Sequence, residues 1–115
     1  MKVILNILIF IAIVVFLLFL LFSDTQKNTY KNKKEVIKDN AIQRGWIPEI
    51  LPDSAFQIIE THNLDTNSIN GSFQYSEKDE DIFINKLQNI NGILIWKDFQ
   101  FIIDKTNNRI EFKNK

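Results

Sequence analysis

Glu60, His62 and Asp65 fall within six positions of the stretch "IIETHNLDTN", and His62 is the only histidine in the chain. A histidine beside carboxylates can take up and return a proton near neutral pH, so the trio invites an acid–base reading. Its spacing argues against one. In a strand, positions 60 and 62 share a face, whereas Asp65 belongs to "NLDTN", which has the Asn and Asp content of a turn. No serine stands in a G-x-S-x-G elbow. One histidine and no cysteine make a poor ligand set for a transition metal.

Calcium fares no better. Asn63, Asp65 and Asn67 alternate as the first ligands of a calcium loop would. However, Ser68 stands where that loop needs glycine, and Gln74 where it needs a bidentate glutamate. With three glycines, none in a Gly-rich turn, there is no phosphate loop either. The expectation is an ordered polar turn, no cofactor and no enzyme. The alternative is a His-dependent or metal-assisted hydrolase using His62, Glu60 and Asp65.

The second candidate surface is aromatic. "ILIWKDFQFII" is an apolar, β-prone run, and an exposed part of it would offer an edge for strand addition. Trp96, Phe99 and Phe101 from this run, with Trp46, are the candidate interface residues. Core packing is the competing role for Trp46, and docking at a membrane interface is its functional one.

These residues need elements to hold them. Residues 3–22, "VILNILIFIAIVVFLLFLLF", contain one polar side chain, Asn6. At about 1.5 Å per residue such a helix spans roughly 30 Å, the depth of a bilayer core. A signal peptide has a shorter apolar region ending in small residues, and no A-x-A site follows here. The expected organisation is an uncleaved anchor over 1–23, a basic juxtamembrane linker and helix over 24–45, and a small domain over 46–115. Six basic and three acidic side chains occupy 24–45, against seven and eleven in 46–115. A basic stretch beside the span favours anionic headgroups, while the acidic domain argues against nucleic acid as a partner. Five lysines after the span against Lys2 before it favour a cytoplasmic domain. The "MK" start before an apolar run is typical of exported, signal-anchored chains, and the expectation leans to the extracytoplasmic side of the cell membrane.

Local patterns then predict the fold. Val36, Ile37, Ala41 and Ile42 give a helical stripe over about 31–44, with Gly45 as the C′ residue and Pro48 as a stop signal. Pro48 and Pro52 hold an ordered extended segment. "AFQIIETH" and "SINGSFQYS" read as strands. In the second, Gly71 marks a bulge or a close backbone approach. "SEKDEDIFINKLQNING" reads as a helix capped by Ser76 with Asp79 as its reciprocal partner, an inner face of Ile82, Phe83, Leu87 and Ile90, and Gly92 as its end. Phe99, Phe101 and Ile103, then Ile110 and Phe112, alternate on a final hairpin. The expected class is α+β: a four-stranded antiparallel sheet carrying one helix, in the order strand, strand, helix, strand, strand. A domain of about 70 residues rarely supplies enough core alone, so further burial is expected from the juxtamembrane helix, the bilayer, self-association or another membrane or envelope protein.

Residues 45–76 also carry a resemblance. Trp46 with Pro48, Leu51 to Ala55, Ile58, Leu64 to Asn67, and Phe73 with Tyr75 resemble a family of uncharacterised small bacterial membrane-anchored proteins. Its members share W-x-P, L-P-x-S-A, a D-T-N turn and an F-x-F/Y strand. The resemblance implies a small envelope-associated domain and no catalytic mechanism. Asn63 stands where that turn usually carries an acidic residue.

Overall fold

A computed structural model describes residues 1–21 and 24–114. The last two positions of the expected 1–23 anchor, Phe22 and Ser23, lie outside the described residues, as does Lys115.

The apolar segment forms one 20-residue helix, α1 (Lys2–Leu21), with no buried residue. It is long and apolar enough to cross a bilayer, as an anchor or as a signal sequence.

The rest is built on a seven-stranded antiparallel sheet in the order β1-β2-β3-β7-β6-β5-β4. Its strands are β1 (Thr25–Asn32), β2 (Phe56–Asn63), β3 (Ile69–Gln74), β4 (Gln88–Ile90), β5 (Ile93–Trp96), β6 (Phe99–Asp104) and β7 (Arg109–Asn114). Two short helices, α2 (Lys33–Lys38) and α3 (Glu80–Asn85), accompany it, and a 3-10 turn, Glu77–Asp79, precedes α3. The α+β expectation fits, but the four-stranded sheet is corrected to seven strands.

The first correction lies in the juxtamembrane segment. Residues 25–32 are not linker. They form edge strand β1, paired with β2 from Thr25 opposite Asn63 to Asn32 opposite Phe56. The helix expected over 31–44 shrinks to α2. Asn32 caps its start by accepting from the Glu35 N–H at 3.1 Å, and Glu35 accepts from the Lys31 N–H at 2.9 Å. Asn40, with φ 56°, ends it: its N–H reaches the Ile37 carbonyl while the Ala41 N–H reaches the Val36 carbonyl. That double closure around a left-handed residue is a Schellman stop, with Asn40 rather than Gly45 at C′.

The second correction is the acidic helix. Ser76 starts the 3-10 turn without a side-chain cap bond, and α3 ends at Asn85. Residues 88–90 turn back as β4, joined to β5 through Asn91 (φ 54°) and Gly92 (φ 85°). Two consecutive left-handed residues of an Asn-Gly pair are the tight hairpin turn that right-twisted strands prefer. Gly92 therefore closes a hairpin and does not stop a helix. Of the expected inner face, Phe83 is buried and Leu87 packs on the core, while Ile82 and Ile90 are exposed.

One face of the sheet carries the core. Ile58, Phe73, Ile110, Phe112, Phe99 and Phe101 meet Val36, Ala41, Ile47, Leu51, Ala55 and Phe83 from the covering layer. Phe73 lies at the centre, with ring centroids 5.8 Å from Phe83, 6.2 Å from Phe112 and 6.5 Å from Tyr75. The burial that residues 46–115 lack is completed by Tyr30, Val36 and Ala41 from the segment before them.

Gly71 fits the close-approach reading. A Cβ there would collide with the Ile59 carbonyl oxygen and the Phe112 ring, which lies over the glycine. The bulge sits on the partner strand instead, where Gln57 (φ 47°) adds a residue between Phe56 and Ile59.

Candidate functional site

Alternation along β2 sends Ile58, Glu60 and His62 to the core face and leaves Ile59 and Thr61 on the outer one. Glu60 faces Asn28 on β1 and Gly71 on β3, and His62 faces Gln26 and Ile69. Both members of the polar pair are buried, Glu60 at 0% exposure and His62 at 4%. Nδ1 of His62 lies 2.6 Å from Oε1 of Glu60, and Nδ2 of Asn28 donates to Oε2 at 2.9 Å. Both carboxylate oxygens are thereby engaged, which offsets the cost of burying the group.

Trp46 closes the site from the covering layer. Its ring stacks on His62 with centroids 4.2 Å apart and planes 16° off parallel. The Arg44 guanidinium stands 4.8 Å from the Trp46 centroid. The short link from α2 sets this stack: after Asn40, Gly45 is also left-handed, at φ 80°, and the Trp46 N–H returns to the Ala41 carbonyl at 3.0 Å. Nearby, the Tyr30 hydroxyl donates to Asp39 at 2.6 Å. Burial, then that hydrogen bond, hold the phenol well above its usual range.

Glu60 and His62 thus have the separation of a base and its orienting carboxylate. Nδ1 is the oriented nitrogen, so Nε2 would be the working one. Nε2 is buried and has no hydrogen-bond partner among the described residues. Asp65 is not brought to the pair. It sits exposed on the β2–β3 turn, where it meets the carboxyl of Asp24. The hydrogen bond and like charge of Asp65 raise the Asp24 carboxyl above its ordinary value. The turn is ordered as expected, with Asn63 Oδ1 accepting from the N–H groups of Asp65 at 2.9 Å and Thr66 at 3.0 Å. Asn63 therefore serves the backbone directly, as Asx turns do.

The aromatic candidates lie on the core side. Phe99 and Phe101 are buried, and Trp46 and Trp96 are half-buried. Lys97 stands over Trp96 at 4.6 Å and reaches Glu49 at 3.7 Å. The exposed apolar residues of the same run are the alternate ones. Ile93 and Ile102 point to the outer face with Ile90 of β4, and they are 47%, 65% and 50% exposed. Ile95 adds a half-buried neighbour. An outer-face groove of about 620 Å³ is lined by Ile59, Ile93, Gln100, Ile102, Arg109 and Glu111 among others. The candidate aromatics occupy the inward phase of the alternation in the run. Leu94, Trp96, Phe99, Phe101 and Ile103 share one face, and the isoleucines between them share the other.

Residues 24–74 match the family model of the YbbD head domain. The similarity begins at the first residue before β1 and ends with β3, so it includes the strand that sequence reading took for linker. It also contains every member of the Glu60–His62–Trp46–Asn28 cluster. The core of that segment is completed by residues beyond it, since Phe83 and Phe112 pack on Phe73. No curated protein and no solved structure matches the chain.

Proposed function

We propose that this chain is a single-pass, uncleaved membrane protein whose head binds another membrane or envelope protein, or a second copy of itself, and performs no catalysis. The observation that carries the reading is the outer face of β4–β6. A sheet with its core on one side ordinarily presents polar side chains on the other. The central strand β7 does so with Arg109, Glu111 and Lys113, whereas Ile90, Ile93 and Ile102 form an exposed apolar patch beside them. Such patches rimmed by charge are where proteins meet partners.

The test is site-specific crosslinking from position 93 in native membranes. Ile102→Lys is expected to abolish the crosslinked product while leaving the fold intact by circular dichroism. Unchanged crosslinking would sink the reading, and two differently tagged copies separate self-association from a foreign partner. The head is placed on the extracytoplasmic side of a bacterial membrane in this proposal. A reporter fused after Lys115, active in one compartment only, tests that placement. An immunity or envelope-accessory role is the cellular form that suits so small an anchored head. The competing hydrolase reading rests on Glu60 and His62. It gains if His62→Gln keeps a folded head and loses the cellular function while Ile102→Lys does not.

A further inference from the structure

The β2–β3 turn is tied to the point where the chain leaves the apolar helix. The Leu64 N–H donates to the Asp24 carbonyl at 2.8 Å, and Thr25 pairs with Asn63. Only Phe22, Ser23 and Asp24 separate Leu21, the last residue of α1, from Thr25. At the extended limit of about 3.3–3.6 Å per residue, Asp24 lies no more than roughly 11 Å from Leu21. A helix of 20 residues covers about 30 Å, so Leu21 stands at the edge of the hydrocarbon core, and the headgroup layer beyond it is about 5–8 Å deep. The chain length therefore keeps Asp24 within about 11 Å of the hydrocarbon edge, close enough for the turn to reach the headgroup layer when the head leans toward the bilayer.

The turn presents an apolar side chain there. Leu64 is 55% exposed, with polar Asn63, Asp65 and Thr66 around it. The backbone of the turn is fixed by its Asx bonds and by the Asn67 N–H, which returns to the Asn63 carbonyl at 3.0 Å. An exposed leucine on a rigid turn costs little further ordering on insertion.

From this juxtaposition we infer that the β2–β3 turn is a second membrane contact, in which Leu64 inserts into the headgroup layer beside the span and fixes how the head stands on the bilayer. The partner is a lipid surface. Asp24 and Asp65 flank Leu64, so a zwitterionic surface suits the turn better than an anionic one. The inference rests on the anchor reading of α1, and its test keeps the two apart.

The chain has no cysteine, so Leu64→Cys and Thr106→Cys each accept one environment-sensitive fluorophore. Thr106 lies in the exposed β6–β7 turn, at the opposite end of the strands. The full chain is reconstituted into phosphatidylcholine vesicles with a fraction of headgroup-proximal nitroxide lipid. A blue-shifted emission quenched by that lipid is expected at position 64 and not at 106. Equal, water-like emission at both positions, in chain that still floats with carbonate-washed vesicles, would overturn the docking and spare the anchor. Chain stripped by carbonate would overturn both. If the labelled variant does not fold, the unaltered chain is photolysed with a diazirine-bearing phosphatidylcholine. Adducts on the peptide containing Leu64 support the contact, and adducts confined to α1 refute it.

Discussion

Glu60 is the residue on which the candidate site turns, because a fully buried carboxylate persists only when its oxygens are engaged. Removing one partner of such a pair leaves an uncompensated charge, and His62→Ala is expected to destabilise the head by about 3 kcal/mol or more. His62→Gln, whose amide can still donate to Glu60, is expected to lose less. Denaturant unfolding of both variants in detergent micelles measures the difference. The Asp24–Asp65 pair works in the other sense. Asp24's folded-state pKa is raised above 3.8, so the folded state favours the protonated form. The pair's contribution is greatest below that value and is lost as pH rises through the higher folded one. Asp65→Asn should therefore raise the melting temperature at pH 7, with the gain vanishing below pH 3.8. A gain that grew on acidification would contradict that account. Asp65 was legible as a turn residue from "NLDTN", whereas its meeting with Asp24 required the strand pairing that brings residue 24 beside residue 64.

At the scale of elements, two close contacts set the sheet. Gly71 leaves room for the Ile59 carbonyl and the Phe112 ring, and the carbonyl is backbone that cannot rotate aside. Gly71→Ala is expected to cost about 1–3 kcal/mol or more, the range of overpacked cores. Phe73→Ala opens the centre of the aromatic cluster and should cost about 3–5 kcal/mol, read by the same unfolding transition. The helix ends show why local pattern misled. Val36, Ile37, Ala41 and Ile42 do keep helical spacing, but Asn40 in a left-handed conformation closes the helix before Ala41. "KLQNINGILIW" contains the Asn-Gly hairpin signal, yet the acidic start of the preceding segment drew the helical reading through it. A polar strand such as "TQKNTYKN" has no alternation of hydrophobicity, and it becomes a strand because β2 offers it a backbone ladder.

At the scale of the molecule, the two faces of the sheet have separate uses. The inner face, with its covering layer, holds the core and the buried Glu60–His62 pair. The outer face carries the isoleucine patch, and the β2–β3 end is tied to Asp24, three residues beyond the last residue of α1. If both proposals hold, Ile102→Lys abolishes protein crosslinking and leaves the position-64 fluorophore quenched by lipid. Leu64→Asp leaves the crosslink from position 93 intact and removes the diazirine-lipid adducts from the peptide that contains residue 64.

By itself the sequence determined the apolar helix, the polar character of the "NLDTN" turn and the alternation that carries Phe73, Ile110 and Phe112. Each follows from composition or from a period that a single segment contains. The tertiary structure alone decided that residues 25–32 join the sheet, that Asp65 meets Asp24, that Gly71 lies under the Phe112 ring, and which isoleucines face outward together. Those outcomes depend on hydrogen bonds and packing between segments far apart in the chain, and no local period encodes which strand will lie beside which.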